Sequence, residues 1–153
     1  MKERKKQVAM QLTEDHENIN KNMGRLKTAV RKKVAPEEFL AWRLAFLWEL
    51  RDFNNRLLKH FDLEEEGGFM NDVLAISPQS ERKVAELKKE HEAIIEDLSG
   101  LIARLKKMTE HDRGNIEQLR SDLDDLICNL HRHENEEHIL MQRAYYREYG
   151  GPA

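Results

Sequence analysis

Cysteine is nearly missing from this chain: Cys128 is the single one in 153 residues. A lone thiol rules out an intrachain disulfide and fits a reducing compartment, so a cytoplasmic protein is expected. Glycine and proline are also scarce, at 7 and 3 residues, while 36% of the chain is charged. That balance suits a helical protein with solvated outer faces. No apolar run approaches the ~20 residues that a membrane span requires. The basic start "MKERKK" has no apolar stretch behind it, so no signal peptide is expected. Neither sign of charge dominates: 26 Lys and Arg stand against 29 Asp and Glu, and they are interspersed. Nucleic acid is therefore not an expected partner.

Three breaks divide what is present. The first is Val34–Ala35–Pro36, with Pro36 placed for the first turn of a following helix. The second runs from Gly67–Gly68 to Ser77–Pro78, glycines that can end one helix and a Ser-Pro that can begin another. The third is the 111–115 stretch, where Asn115 reads as an N-cap with Gln118 three residues on. One domain with four helices is expected, at roughly 5–33, 37–66, 79–109 and 115–148. Each segment carries apolar residues alternately three and four apart, the seam of a helix packing in a bundle. Short connections imply antiparallel neighbours. The expected fold is therefore all-α, an up-down-up-down four-helix bundle.

Polar residues interrupt those seams without breaking their rhythm. They are His16 between Leu12 and Ile19, His60 and Glu64 after Leu57, His91 between Leu87 and Ile94, and His133 and Glu137 after Leu130. The chain also looks duplicated. "DHENI" at 15–19 resembles "EHEAI" at 90–94, and the His60/Glu64 pair recurs 73 residues on at His133/Glu137. A buried polar group without a partner costs on the order of 1–3 kcal/mol, and an unpaired charge costs more. A pair of divalent or trivalent metal ions removes that cost. A His and a Glu four apart lie one turn apart on one helix face and can reach one metal centre. Carboxylates can bridge two ions, and mixed nitrogen and oxygen ligation without thiolate suits iron or manganese better than structural zinc. Register checks well for His91 and His133. For His16 and His60 it leaves an offset of about 10 Å, so helix two overhangs or helix one runs on.

This pattern resembles the hemerythrin-like (HHE cation-binding) family, bundles that hold a non-haem di-iron centre. The resemblance covers nearly the whole chain and rests on His16, "HFDLEE" with His60 and Glu64, "EHEAI" with His91, and "HENEEHIL" with His133 and Glu137. It implies two iron ions with an oxo or hydroxo bridge, held by those six residues. Oxygen-carrying members have a fifth histidine one turn before the third-helix histidine, where this chain has Leu87. Their last ligand is an Asp five residues after the fourth-helix histidine; His138 stands there, and Glu137 at four replaces it. The four-His, two-Glu set is similar to that of the iron-centre repair (RIC) proteins, which protect or repair iron–sulfur clusters. Four imidazoles and two bridging carboxylates would fill about eight of the roughly twelve positions of two six-coordinate ions, and the bridge two more. About one open site per iron favours binding, sensing or redox conversion of a small ligand such as O₂, NO or peroxide. NO or peroxide reduction and iron handling are the competing activities, and a redox protein is the candidate partner.

The remaining chemistry-bearing residues have simpler readings. Glu65, Glu66, Glu134 and Glu136 fall off the seam rhythm, although Glu136 competes with Glu137. His111, His131 and His138 are expected away from the centre. Cys128 reads as a small buried or boundary residue, Trp42 and Trp48 as packing, and Tyr145, Tyr146 and Tyr149 as a cover for one bundle end.

Overall fold

A computed structural model describes residues 2–146. Four long helices account for most of it: α1 (Lys2–Arg31), α2 (Phe39–Glu66), α4 (Glu81–Lys107) and α5 (Arg113–Met141), with a short α3 (Phe69–Ile76) between α2 and α4. A 3-10 turn at Pro36–Glu38 leads into α2, another at Pro78–Ser80 leads into α4, and a π turn at Gln142–Tyr146 follows α5. α1 packs on α2 and α5, and α4 packs on the same two. The result is the antiparallel four-helix bundle that the seams predict. Tyr149 and the expected helical residues 147 and 148 lie outside the described residues.

The offset between His16 and His60 is resolved at the first connection. α1 ends at Arg31, two residues sooner than expected, and residues 32–35 are not helical. His16 stands 15 residues before the end of α1 and His60 stands 21 after the start of α2, so with the two histidines level α2 overhangs α1 by roughly 9 Å. The Trp42 indole N–H donates to the Ala29 carbonyl at 2.9 Å and pins the overhang to α1.

Two expected boundaries shift. α5 begins at Arg113 with Asp112 in the N-cap position, so Asn115 lies inside the first turn. The Asp112 carboxylate accepts from the backbone N–H and the hydroxyl of Thr109, which closes a turn there and starts the helix early. The second break holds α3, whose Phe69, Met70 and Val73 are buried at one end of the bundle. Gly68 makes this turn at φ 111°, and a Cβ there would lie 2.6 Å from an Arg4 guanidinium nitrogen. That left-handed conformation favours glycine. Asp72 of α3 accepts from Arg4 at 2.6 Å and from the Tyr145 hydroxyl at 2.8 Å, tying α1, α3 and the turn after α5 together.

The apolar interior divides into two clusters. One contains Ile19, Phe46, Phe53, Leu57, Phe61, Ile94 and Leu130, towards the α1–α2 connection. The other contains Leu12, Phe69, Leu87, Leu140 and Tyr145, towards α3. The seam polar residues lie on the same helices between these clusters: Leu12 and Ile19 flank His16, and Leu87 and Ile94 flank His91. A polar layer thus crosses an otherwise apolar bundle.

Candidate metal centre

His60, Glu64, His91, His133 and Glu137 are buried, and His16 is half-buried beside them. The helical repeat brings them together, since each replaces an apolar residue on its seam and so points where that residue would point. They form two groups of four that share both carboxylates. His16, His60, Glu64 and Glu137 make one, and His91, His133, Glu64 and Glu137 the other; in each, the ligand atoms lie within 4.8 Å of one another.

The carboxylates divide their oxygens between the groups. Glu64 Oε2 is 3.2 Å from His60 Nε2 and 3.8 Å from His16 Nε2, while its Oε1 is 3.0 Å from His91 Nε2. Glu137 Oε1 is 3.7 Å from His16 Nε2, while its Oε2 is 3.3 Å from His91 Nε2 and 3.1 Å from His133 Nε2. Each Glu therefore presents one oxygen to each pair of imidazoles. His16 Nε2 and His60 Nε2 are 3.0 Å apart. Two nitrogens about 2.1 Å from one ion, at a right angle to each other, stand about that far apart.

Two observations test whether a cation fits. Both oxygens of Glu64, Glu137 Oε1 and His133 Nε2 are buried without a hydrogen bond of ordinary geometry. Such atoms are costly unless something else satisfies them. The second observation is protonation. Burial opposes charge on His16, yet the Glu137 and Glu64 carboxylates outweigh it and lift the imidazole to about 10. At His91 burial is likewise outweighed by Glu137 and Glu64, which bring it to about 10. At His60 burial is outweighed by Glu64 and Asp15, which bring it to about 9. His133 is raised as well, with burial overcome chiefly by Glu137. Burial alone would raise Glu64, but the surrounding rings of His60, His16 and His91 hold it well below the carboxylate range. Without an ion, protons supply the positive charge that two carboxylates at this depth demand. Cations at the same place would release those protons.

An outer ring of acids fixes the imidazoles. Asp15 Oδ2 is 3.2 Å from His60 Nδ1, Glu65 Oε2 is 2.7 Å from His91 Nδ1, and Glu90 Oε1 is 2.7 Å from His133 Nδ1. Nδ1–H donates to the carboxylate, which fixes that tautomer and leaves Nε2 as the inward lone pair. Two of these braces follow one rule, in which the acid just before a histidine serves the next long helix: Asp15 precedes His16 and holds His60, and Glu90 precedes His91 and holds His133. The acidic residue at matching places in "DHENI" and "EHEAI" was the available signal. Glu65 had none, because only the rotation of α2 against α4 aims it at His91.

The four off-seam glutamates separate. Glu65 is a brace. Glu136 turns outward to Lys83, 2.9 Å away, and does not compete with Glu137. Glu134 is half-buried with Oε1 unpartnered, and burial, only partly offset by His16, pushes it up to about 7. Glu66 is exposed, as are His111, His131 and His138. Two expectations fail on exposure. Cys128 faces solvent, because the seam runs through its neighbours Leu126, Ile127 and Leu130. Trp48 is exposed on the outer face of α2, while Trp42 packs against Phe39 and Phe46. Tyr145 is buried over Phe69, as a cover for that end requires.

Among known families, the model described as the hemerythrin HHE cation binding domain matches residues 12–144. That span holds all six inward residues. No curated protein and no solved structure matches the chain.

Proposed function

From the premise that this chain belongs to the hemerythrin HHE cation-binding domain family, we propose that it is a single-domain, non-haem di-iron protein that binds, senses or redox-converts O₂, NO or peroxide. His16 and His60 would hold one ion and His91 and His133 the other, with Glu64 and Glu137 shared between them. The observation that carries this reading is the division of both carboxylates, each with one oxygen towards each imidazole pair. Nitrogen and oxygen donors without thiolate favour iron over structural zinc.

When bound, the iron pair supplies Lewis acidity and reversible one-electron chemistry to a small ligand. The protein's part is positional. Asp15, Glu65 and Glu90 fix the tautomers of three imidazoles. The apolar clusters on either side keep bulk water from the centre. Leu87 fills its place with a fully buried aliphatic side chain, so no fifth imidazole is offered on the His91 side, and an ion held there would keep a position for a small ligand. The reading includes a cytoplasmic setting and a separate redox protein as electron source. No described helix is long and apolar enough to cross a membrane.

Metal analysis of protein purified without oxygen, with optical spectra on adding O₂ or NO, tests the proposal. Iron in both halves and a new charge-transfer band with one of these ligands is the expected result. Reduced, iron-loaded protein that responds to neither would end it. Leu87→His sharpens the test, since a fifth imidazole on the His91 side should convert a transient O₂ response into a stable adduct. The second reading, iron handling or iron–sulfur-centre repair, draws support from the His16 side chain, which is 13% exposed against 1–3% for the other three imidazoles. It predicts iron release to an apo cluster protein rather than a ligand-dependent band.

A further inference from the structure

The face of α2 opposite the core is apolar over its first half. Leu40 is 58% exposed, Leu44 55% and Trp48 69%. At 100° per residue these three lie within about 40° of one line along the helix, and Phe46, Phe53 and Leu57 point the other way. A bundle helix normally carries charge on its solvent side. Of the seven large hydrophobic residues exposed among the described ones, four are on α2: Leu40, Leu44, Trp48 and Leu58. α2 thus has two apolar faces and the bundle uses one.

We propose that the second face joins two copies of this chain, with α2 of each lying antiparallel across a two-fold axis at Leu44. The charges flanking the stripe select this occupant and this register. Arg51 is exposed on the Leu44 line of α2, and Glu37 is exposed in the 3-10 turn that leads into the helix; they stand seven residues to either side of Leu44. Among the described residues neither has an ion-pair partner within the chain. A two-fold axis at Leu44 sets Glu37 of each copy opposite Arg51 of the other and Leu40 opposite Trp48, with the two Leu44 side chains meeting on the axis. An isologous contact needs such self-complementarity, because every residue on one side must find its match at the mirrored position. Two ion pairs at the ends enclose an apolar centre with a Trp from each copy, the residue type that most often anchors such contacts. Helices crossing at about 20° keep the end charges in reach.

Analytical ultracentrifugation of the full chain tests this. At tens of micromolar the wild type should sediment at twice 18.1 kDa. Leu44→Glu sets two like charges face to face on the axis and should give a monomer, with helix content and metal uptake unchanged because residue 44 already faces solvent. Arg51→Glu alone should weaken the dimer by about tenfold through like-charge repulsion with Glu37. Adding Glu37→Arg to it should restore the dissociation constant to near wild type. Three results would overturn the proposal. They are a wild type that stays monomeric at tens of micromolar, a dimer indifferent to Leu44→Glu, and a charge exchange that fails to rescue Arg51→Glu. Binding of a different protein to this face by a wild type that remains monomeric counts with the first.

Discussion

Phe61 and Glu134 stand 73 residues apart at corresponding places, each directly after the histidine of a His-x-x-x-Glu pair. In the fold they do opposite things. Phe61 stacks flat on His91 with ring centroids 3.8 Å apart and meets His133 edge-on, closing the second half of the centre with an apolar ring. Glu134 puts a half-buried carboxylate with an unpartnered oxygen under the influence of His16 and His60. The braces differ in the same sense. Glu65 holds His91, but its counterpart 73 residues on is His138, which faces solvent and leaves the corresponding His16 without such a carboxylate. One half has an aromatic ring against its imidazoles, and the other has a half-buried carboxylate beside a half-buried imidazole. A duplicated sequence has kept the inward donors of its two halves alike while letting the shell around them diverge. The inward donors thus keep a symmetric arrangement around both shared carboxylates, and their surroundings do not.

The largest effect expected is the one that erases the comparison. Glu64→Ala or Glu137→Ala removes a donor from both halves at once, so neither half should retain iron under loading conditions that fill both in the wild type; His60→Ala should empty chiefly its own half. Metal analysis per chain distinguishes these outcomes. Next come the two dissimilar counterparts. Phe61→Ala removes a buried ring and should cost about 3–5 kcal/mol in chemical denaturation. Glu134→Gln should do the reverse in the metal-free protein. Its carboxyl is lifted from the usual value to about 7, so the ionised form is penalised in the folded state. That penalty is absent below about pH 4 and complete above pH 7. The substitution should therefore raise stability at pH 8 by on the order of 1–2 kcal/mol and leave it unchanged in acid.

A third test concerns pH and both halves together. The imidazoles of His16, His60 and His91 are raised to about 10, 9 and 10 in the metal-free fold. Protonated histidines then add stability that is fully present below their unfolded value of about 6.5 and is lost as pH rises through 9 to 10. Thermal unfolding of the apoprotein should show a fall in Tm over that interval. Iron-loaded protein should not, because its imidazoles hold ions instead of protons. The smallest effect expected is at the braces: Asp15→Asn and Glu90→Gln should each lower metal affinity by about tenfold through loss of imidazole orientation, measured by chelator competition. A much larger loss at one brace than at the other would show that the halves differ in their inner shell too.

The inward cluster was readable from sequence because helical periodicity is regular: a polar residue at a core position of a three-four seam must point inward, and six such residues on four seams must meet. Their surroundings were less readable for physical reasons. Glu65 and Glu134 lie off the seam, and whether they face a neighbouring helix or solvent depends on how far each helix is rotated. That rotation is set by packing across the whole bundle. α3 was hidden because eight residues give barely two turns, too few for a period to declare itself between Gly68 and Pro78. The register of α2 against α1 depended on where α1 stops, and the non-helical residues 32–35 carry no apolar pattern to mark it. The outer stripe on α2 is hard to read because a helix apolar on two sides gives a blurred amphipathic signal, and Trp48, beside the Phe46–Leu50 seam, reads as packing although it is exposed.

The shared glutamates carry one more consequence. A lone helical hairpin from this chain owns two imidazoles and a single carboxylate, too few donors to wall in an ion. Two hairpins facing each other own enough for a pair. Filling a site of this kind would therefore require the two hairpins to meet, and loss of their pairing would empty both positions together.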